Sequence, residues 1–334
     1  MPIYVYPDRI EFSNYSLRIT TDGVGVTSPS TPKIAGTFTT VGSIGAIVAQ
    51  GVVSGYTSGG STPTLSNTID KFAFVSNANA TDVGDLTVAR DFAAGQSSGS
   101  FGYSSGGTDV PPARSNVIDR FPFAANANAS DVGDLTVARM GAAGQNSATS
   151  GYTSGGNNPG LTSVNTIDNF PFATNTNASD VGDLTRADYL LAGQSSSSFG
   201  YTTSGNGTNI IDRFPFATNA NASDVGDITV QRLGGTGQNS SNNGYTSGGG
   251  SPATNTIDRF SFSTNANASD VGDLTQTRRY GAGQSSATYG YTSGGIVSPA
   301  LSNVIDRFPF ATDANAADVG DITVTRQAAA GQQY

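Results

Sequence analysis

The residues best suited to chemistry stand in a repeated run, "NANASDVGD", with Asn126, Asn128, Asp131 and Asp134 in one copy. Closely spaced side-chain oxygens of this kind can hold Ca²⁺, which takes about 6–8 oxygen ligands. Asp82, Asp85, Asp131 and Asp134 are therefore candidate calcium ligands. The spacing matches no EF-hand loop, and an aspartate opens the run only at Asp313. The competing reading is an Asx-turn, in which the same side chains accept hydrogen bonds from nearby backbone amides. The Asx-turn is the expected arrangement, with no bound metal. A second charged position follows, read as the end of the next strand: Arg90, Arg139, Arg232, Arg278 and Arg326. In the third copy its slot holds Asp188, and Arg186 lies two residues earlier. A ring of arginines could bind an anion. Aspartates at matching repeat positions make ion pairs between neighbouring units the expected use.

Missing residue types restrict the chemistry further. With no His and no Cys, the chain has no imidazole base, no thiolate, no zinc or blue-copper site and no disulfide. Glycine strings such as 247–250 lack the Lys-Ser/Thr ending of a phosphate loop and any following helix. "ASDVGD" differs from the sialidase Asp-box, because its Ser directly precedes the Asp and no Trp exists. A glycosidase needs two carboxylates in unlike environments, and near-identical copies do not mark one unique site. The expectation is a non-enzymatic protein without a cofactor. The net charge of −9 argues against nucleic acid as a partner. No apolar run approaches the roughly 18 residues of a membrane span, and "MPIYVYPDRIEF" lacks the pattern of a secretory signal.

The scaffold that must position these groups is legible in the spacing. In all six copies the Asp of "GD" follows the Asp of "ID" by 15 residues, as Asp134 follows Asp119. Gln comes 11 residues later, and in five copies Tyr comes 7 after that, as at Gln145 and Tyr152. Only the stretch from Tyr to the next "ID" varies, over 11–16 residues, so the period is 44–49. Of 25 acidic residues only Glu11 is a glutamate, and Gly numbers 43. Such a composition favours turns over helices. Four short strand-like pieces per period suit a β-propeller blade: A in "GQSS", B in "GYTSGG", C in "IDRFPF" and D in "DVGDLTVAR". Twelve of 17 Phe fall in the two Phe slots of strand C, as at Phe121 and Phe123. They are expected to fill the layer between blades. Pro122, Pro171, Pro215 and Pro309 stand between those Phe residues. Since proline cannot donate to a ladder, strand C must end or bulge there, or turn that amide slot away. For closure, residues 45–54 and the C-terminal "RQAAAGQQY" both offer a strand A for the first blade. The C-terminal strand is expected to take it.

"GYTSGG" followed by a loop, "NTID" and a later Arg resembles a kelch repeat with its glycine pair. The chain departs by having no Trp and by placing Gly205-Asn206-Gly207 at the pair in the fourth copy. The fuller wording, "NTIDRF…NANASDVGDLT…R…AGQSS…GYTSGG", resembles kelch-like repeats in structural proteins of marine bacteriophages, including cyanophages and phages of other abundant ocean bacteria. The resemblance spans about residues 36–334. It implies a virion component of the tail, baseplate or capsid exterior, made in the host cytoplasm, present in multiple copies and partnered by other virion proteins.

The fold expected is thus all-β: a six-bladed, kelch-like β-propeller over 36–334 with a short N-terminal β arm over 1–35. The arm alternates apolar and polar residues, with a hairpin signal at Asp22-Gly23. A ribbon of this size is marginal alone. It is expected to anchor the subunit by strand addition, the alternative being a flap on a blade edge. Contacts with a host glycan or receptor would fall on the variable B–C loops, since loops on rigid scaffolds carry binding. The candidates there are Asp109, Pro111, Pro112 and Arg114 in one loop and Asn157, Pro159 and Leu161 in the next. Asn206, Pro252, Val297 and Pro299 occupy the remaining loops.

Overall fold

In the computed structural model the chain divides into two compact units, 1–43 and 44–334. The structure describes residues 51–334 except 110–112 and 207, together with the backbone of four N-terminal strands. Those four are Ile3–Tyr6, Arg9–Phe12, Tyr15–Thr20 and Gly23–Thr27, paired in chain order as an antiparallel meander. Thr20 lies opposite Gly23, so Gly23 opens the last strand.

The larger unit is a six-bladed β-propeller, all-β and without a helix among the described residues. Blade 2 shows the pattern: strand A is Ala94–Ser97, B is Phe101–Ser105, C is Val117–Pro122 and D is Ser130–Asp134, joined antiparallel in that order. Blades 3 to 6 repeat it over 143–183, 192–227, 236–273 and 282–321. Blade 1 takes its strands B to D from 54–85 and its strand A from Ala330–Gln333, which pairs with Ser54–Ser58. The C-terminal segment therefore closes the ring. Gly51 instead makes a parallel bridge to Ser286, and Ser54 already begins strand B.

Strand D is shorter than the sequence pattern suggested. It ends at the Asp of "GD", which leaves the arginine in the link to the next blade. The prolines fit because strand C ends on them. The Phe123 amide donates to Ser100 O on the strand B side. Alternation then points the Pro122 nitrogen toward strand D, whose pairing has stopped at Arg120. A bulge between Ile118 and Asp119 precedes that end.

The core lies between blades. Tyr103, Ile118 and Leu135 of blade 2 pack with Phe170 and Phe172 of blade 3. The Tyr103 ring stacks on Phe172 at 4.8 Å, and Phe170 sits at 5.5 Å. The last such layer joins Tyr291 and Ile305 of blade 6 to Phe72 and Phe74 of blade 1. At the axis the strands A meet backbone to backbone. A Cβ on Gly144 would lie 2.2 Å from Gly95 O, so the Gly of "AGQ" is required by close approach.

Polar groups join the same neighbours. Gln96 Nε2 donates to Tyr152 O at 3.0 Å, and Gln332 Nε2 donates to Tyr103 O at 2.9 Å. The equivalent bonds from Gln145, Gln194, Gln238 and Gln284 complete the circle. Each repeated glutamine thus satisfies a carbonyl of the next blade's strand B.

Candidate functional site

Two faces of the wheel differ in what their loops do. On one, the C–D loops staple blade to blade. Asn128 Oδ1 accepts from the Asp85 amide at 3.1 Å, and the Ala129 amide donates to Asp85 O at 2.7 Å. Asp82 Oδ1 and Asp131 Oδ1 accept from the Gly84 and Gly133 amides, each at 3.1 Å. These are Asx-turns. Asp85 and Asp134 are joined through their amides to an asparagine of the following blade. Among the described residues no group of three or more His, Cys, Asp or Glu could hold a metal.

The opposite face carries the B–C loops and the D–A links, which hydrogen-bond to each other. The Gly107 amide donates to Arg139 O at 2.8 Å, and Asn157 and Met140 exchange backbone bonds. The sequence-derived loop candidates scatter over this face. Leu161 is 69% exposed at a left-handed φ of 59°, while Pro159, Pro252, Pro299 and Asn206 are exposed. Asp109, Arg114 and Val297 are half-buried, with Arg114 Nη1 donating to Thr108 Oγ1 at 3.2 Å. Asn157 is buried under its loop. Pro111 and Pro112 lie outside the described residues.

The loops surround an axial funnel of about 130 Å³ that sequence reasoning missed. Phe92, Leu190 and Tyr280 alternate around it with Gly141, Gly234 and Ala328. These six residues form a closed ring of backbone bonds. Phe92 N donates to Ala328 O, Ala328 N to Tyr280 O, and so on through Gly234, Leu190 and Gly141, over 2.7–3.0 Å. All six sit at left-handed φ, between 52° and 64°. Their one-per-repeat position, two residues after the arginine slot, was the available signal. It was hidden because the side chains differ while the backbone geometry is shared.

Below this face lie the charged sockets. Arg90 Nη2 pairs with Asp119 Oδ2 at 2.9 Å, both side chains fully buried, and also donates to Ser104 O at 3.0 Å. Thr87 adds its amide and hydroxyl to the same carboxylate. Burial pulls the Arg90 pKa down, and the charge of Asp119 opposes that pull. Arg139–Asp168, Arg232–Asp258, Arg278–Asp306 and Arg326–Asp70 repeat the pair. The arginines are thus spent on ion pairs with the "ID" aspartate of the following blade, as the matching repeat positions suggested.

Blade 4 differs. Asp188 fills the arginine slot, and its Oδ1 accepts from the Tyr189 and Asn206 amides at 2.8 and 2.7 Å. Asp212 keeps only the Thr185 bonds, at 3.0 and 2.7 Å. Burial raises the pKa of both carboxyls. The glycine pair of this blade is also not where the sequence suggested. Ser204, at φ 57°, and Gly205 occupy the slots held by Gly155 and Gly156 in blade 3.

No known protein family and no curated protein matches the chain.

Proposed function

We propose that the chain is a non-enzymatic virion structural protein of a phage, at the tail, baseplate or capsid exterior. In this reading a rigid propeller is displayed through its N-terminal sheet. The observation that carries it is how the repeated polar residues are used. The "ID" aspartates hold Thr hydroxyls and buried arginines, the glutamines hold neighbouring carbonyls, and the loop asparagines cap amides. Groups so engaged serve rigidity rather than turnover. Variation in length from blade to blade is confined to the B–C loops of one face, as presentation requires. The repeat wording, similar to that of marine phage structural proteins, supplies the setting.

Residues 1–35 are the anchoring element in this reading, placed against other virion proteins. Deleting them and assaying incorporation into particles tests it: loss of incorporation with an intact propeller is expected, and normal incorporation ends the anchor idea. Locating the chain in an intact particle decides between tail, baseplate and capsid.

A second reading has the B–C loops touch a host receptor or surface glycan. It is favoured by the exposed Leu161 and by the aromatic residues Phe92 and Tyr280 at the funnel. Binding on a glycan array that is lost in a Tyr280→Ala variant would support it.

A further inference from the structure

Five arginines define what the "ID" socket is built to hold. Each guanidinium donates to the carboxylate of the next blade and to one or more backbone carbonyls, from strand B in four copies and from the start of strand C in three. Arg278 donates to Asp306 Oδ2, to Gly294 O at 3.1 Å and to Val304 O at 3.0 Å. Arg232 donates to Thr246 O at 3.0 Å and Asp258 Oδ2 at 2.8 Å. In blade 4 the equivalent acceptors remain, at Asp212, Thr202 and Ile210; Arg186, two residues before the arginine slot, lines the cavity, but the slot itself holds no guanidinium. An acidic side chain, Asp188, has been added in its place.

The space is not fully collapsed. Leu191, where other copies have Ala or Gly, fills part of it. A cavity of about 10 Å³ is left among Asp188, Ser204, Thr202, Ile210 and Asp212, enough for about one water or one bare ion. Two oxygens lining it have no partner. Asp188 Oδ2 and Ser204 Oγ are buried without a hydrogen bond, and their residues are 4% and 1% exposed. Ser204 stands where the other blades have glycine, so of blade 4's departures at Arg186, Asp188, Leu191 and Ser204, two add an oxygen to one small cavity. An orphaned buried carboxylate oxygen carries a large penalty until a proton, a hydrogen-bond donor or a cation satisfies it.

We propose that blade 4 carries a buried Ca²⁺-class cation site, in which a divalent ion replaces the guanidinium of the sister blades. Asp188 Oδ2, Asp212 and Ser204 Oγ are the side-chain ligands, and the Thr202 and Ile210 carbonyls and water complete an all-oxygen shell. The chemistry selects a hard cation over a soft one, since no His, Cys or Met lines the cavity and the proposed ligands are all oxygens. Arg186, exposed and also lining the cavity, works against the ion electrostatically.

Calorimetric titration of the metal-stripped full chain with CaCl₂ tests this. One site per chain and a rise in melting temperature are expected. Asp188→Asn keeps an acceptor for the two amides bonded at Oδ1 but should weaken binding by at least about 10–100-fold, the cost of losing even an outer-shell partner of a metal. Asp188→Arg rebuilds the sister-blade pair and should abolish calcium dependence while raising the metal-free melting temperature. Asp131→Asn, in a C–D loop, should leave the titration unchanged. The absence of any Ca²⁺ heat or thermal shift overturns the proposal, as does binding that survives Asp188→Asn or fails in Asp131→Asn. Should Asp188→Arg not fold, Asp188→Asn decides alone.

Discussion

The sockets of blades 2 and 4 are the same backbone solving opposite electrostatic problems. In blade 2, Arg90 and Asp119 neutralise each other in a fully buried pair. In blade 4, Asp188 and Asp212 put two carboxyls into the equivalent space, and burial raises the pKa of both. The difference teaches that ring closure does not depend on any single ion pair. The aromatic layer where blades 3 and 4 meet, with Tyr152 against Phe214 and Phe216, is the same as elsewhere. Hydrophobic packing and the glutamine belt carry the repeat, and the charged socket is a slot that one blade can spare for another use.

The largest effect should come from breaking an intact socket. Arg90→Ala leaves Asp119 charged and buried, so a loss of about 3–5 kcal/mol is expected in urea unfolding. A cost within about 0.5 kcal/mol would mean that the blade 2 pair contributes no more than a surface one. Next comes the paired test of the aspartates themselves. Asp119→Asn strands a buried guanidinium and should cost several times as much as Asp212→Asn, which removes one of two like charges and keeps an acceptor for Thr185. Equal costs would erase the distinction between the sockets.

Acid titration sharpens the contrast with a smaller effect. A carboxyl whose pKa is raised on folding contributes stability that is fully present below its unfolded value, near 3.8, and is lost as pH rises through the raised value. In metal-free buffer, therefore, Asp188→Asn should gain on the parent protein as pH climbs above about 4 toward neutrality. A difference independent of pH would show that Asp188 does not titrate in the fold. Smallest of all, Leu161→Ser at its exposed loop tip should shift stability by no more than about 0.5 kcal/mol. A larger change would show that the tip packs against something in solution.

Much of the wheel was readable because repetition turns spacing into geometry. A 15-residue interval kept in every copy between the "ID" and "GD" aspartates can only mean the same strand C, loop and strand D each time. The Phe slots announced an interblade layer because twelve large apolar side chains need repeated partners. Three details were not readable. Strand D stops before "LTVAR" because Thr87 bonds to the next blade's Asp119 rather than continuing the ladder. The pair Ser204-Gly205 was masked because an interval shortened to 11 positions from Tyr201 to Asp212 blurs the alignment. The funnel ring was invisible because Phe92, Gly141, Leu190, Gly234, Tyr280 and Ala328 share a φ and no chemistry.

By itself the sequence determined the blade and its number of copies, since periodic burial of Tyr, Ile and Phe leaves few other ways to hide apolar surface, while it left two strands competing to complete the first blade. Tertiary structure alone decided which charges meet. Asp70 and Arg326 lie 256 residues apart, yet only ring closure brings them to 2.8 Å. Asp188 and Asp212 likewise became neighbours of one cavity through packing that no local pattern encodes. Local periodicity fixes each strand's faces, but the partner of a buried charge depends on distances set by all six blades at once.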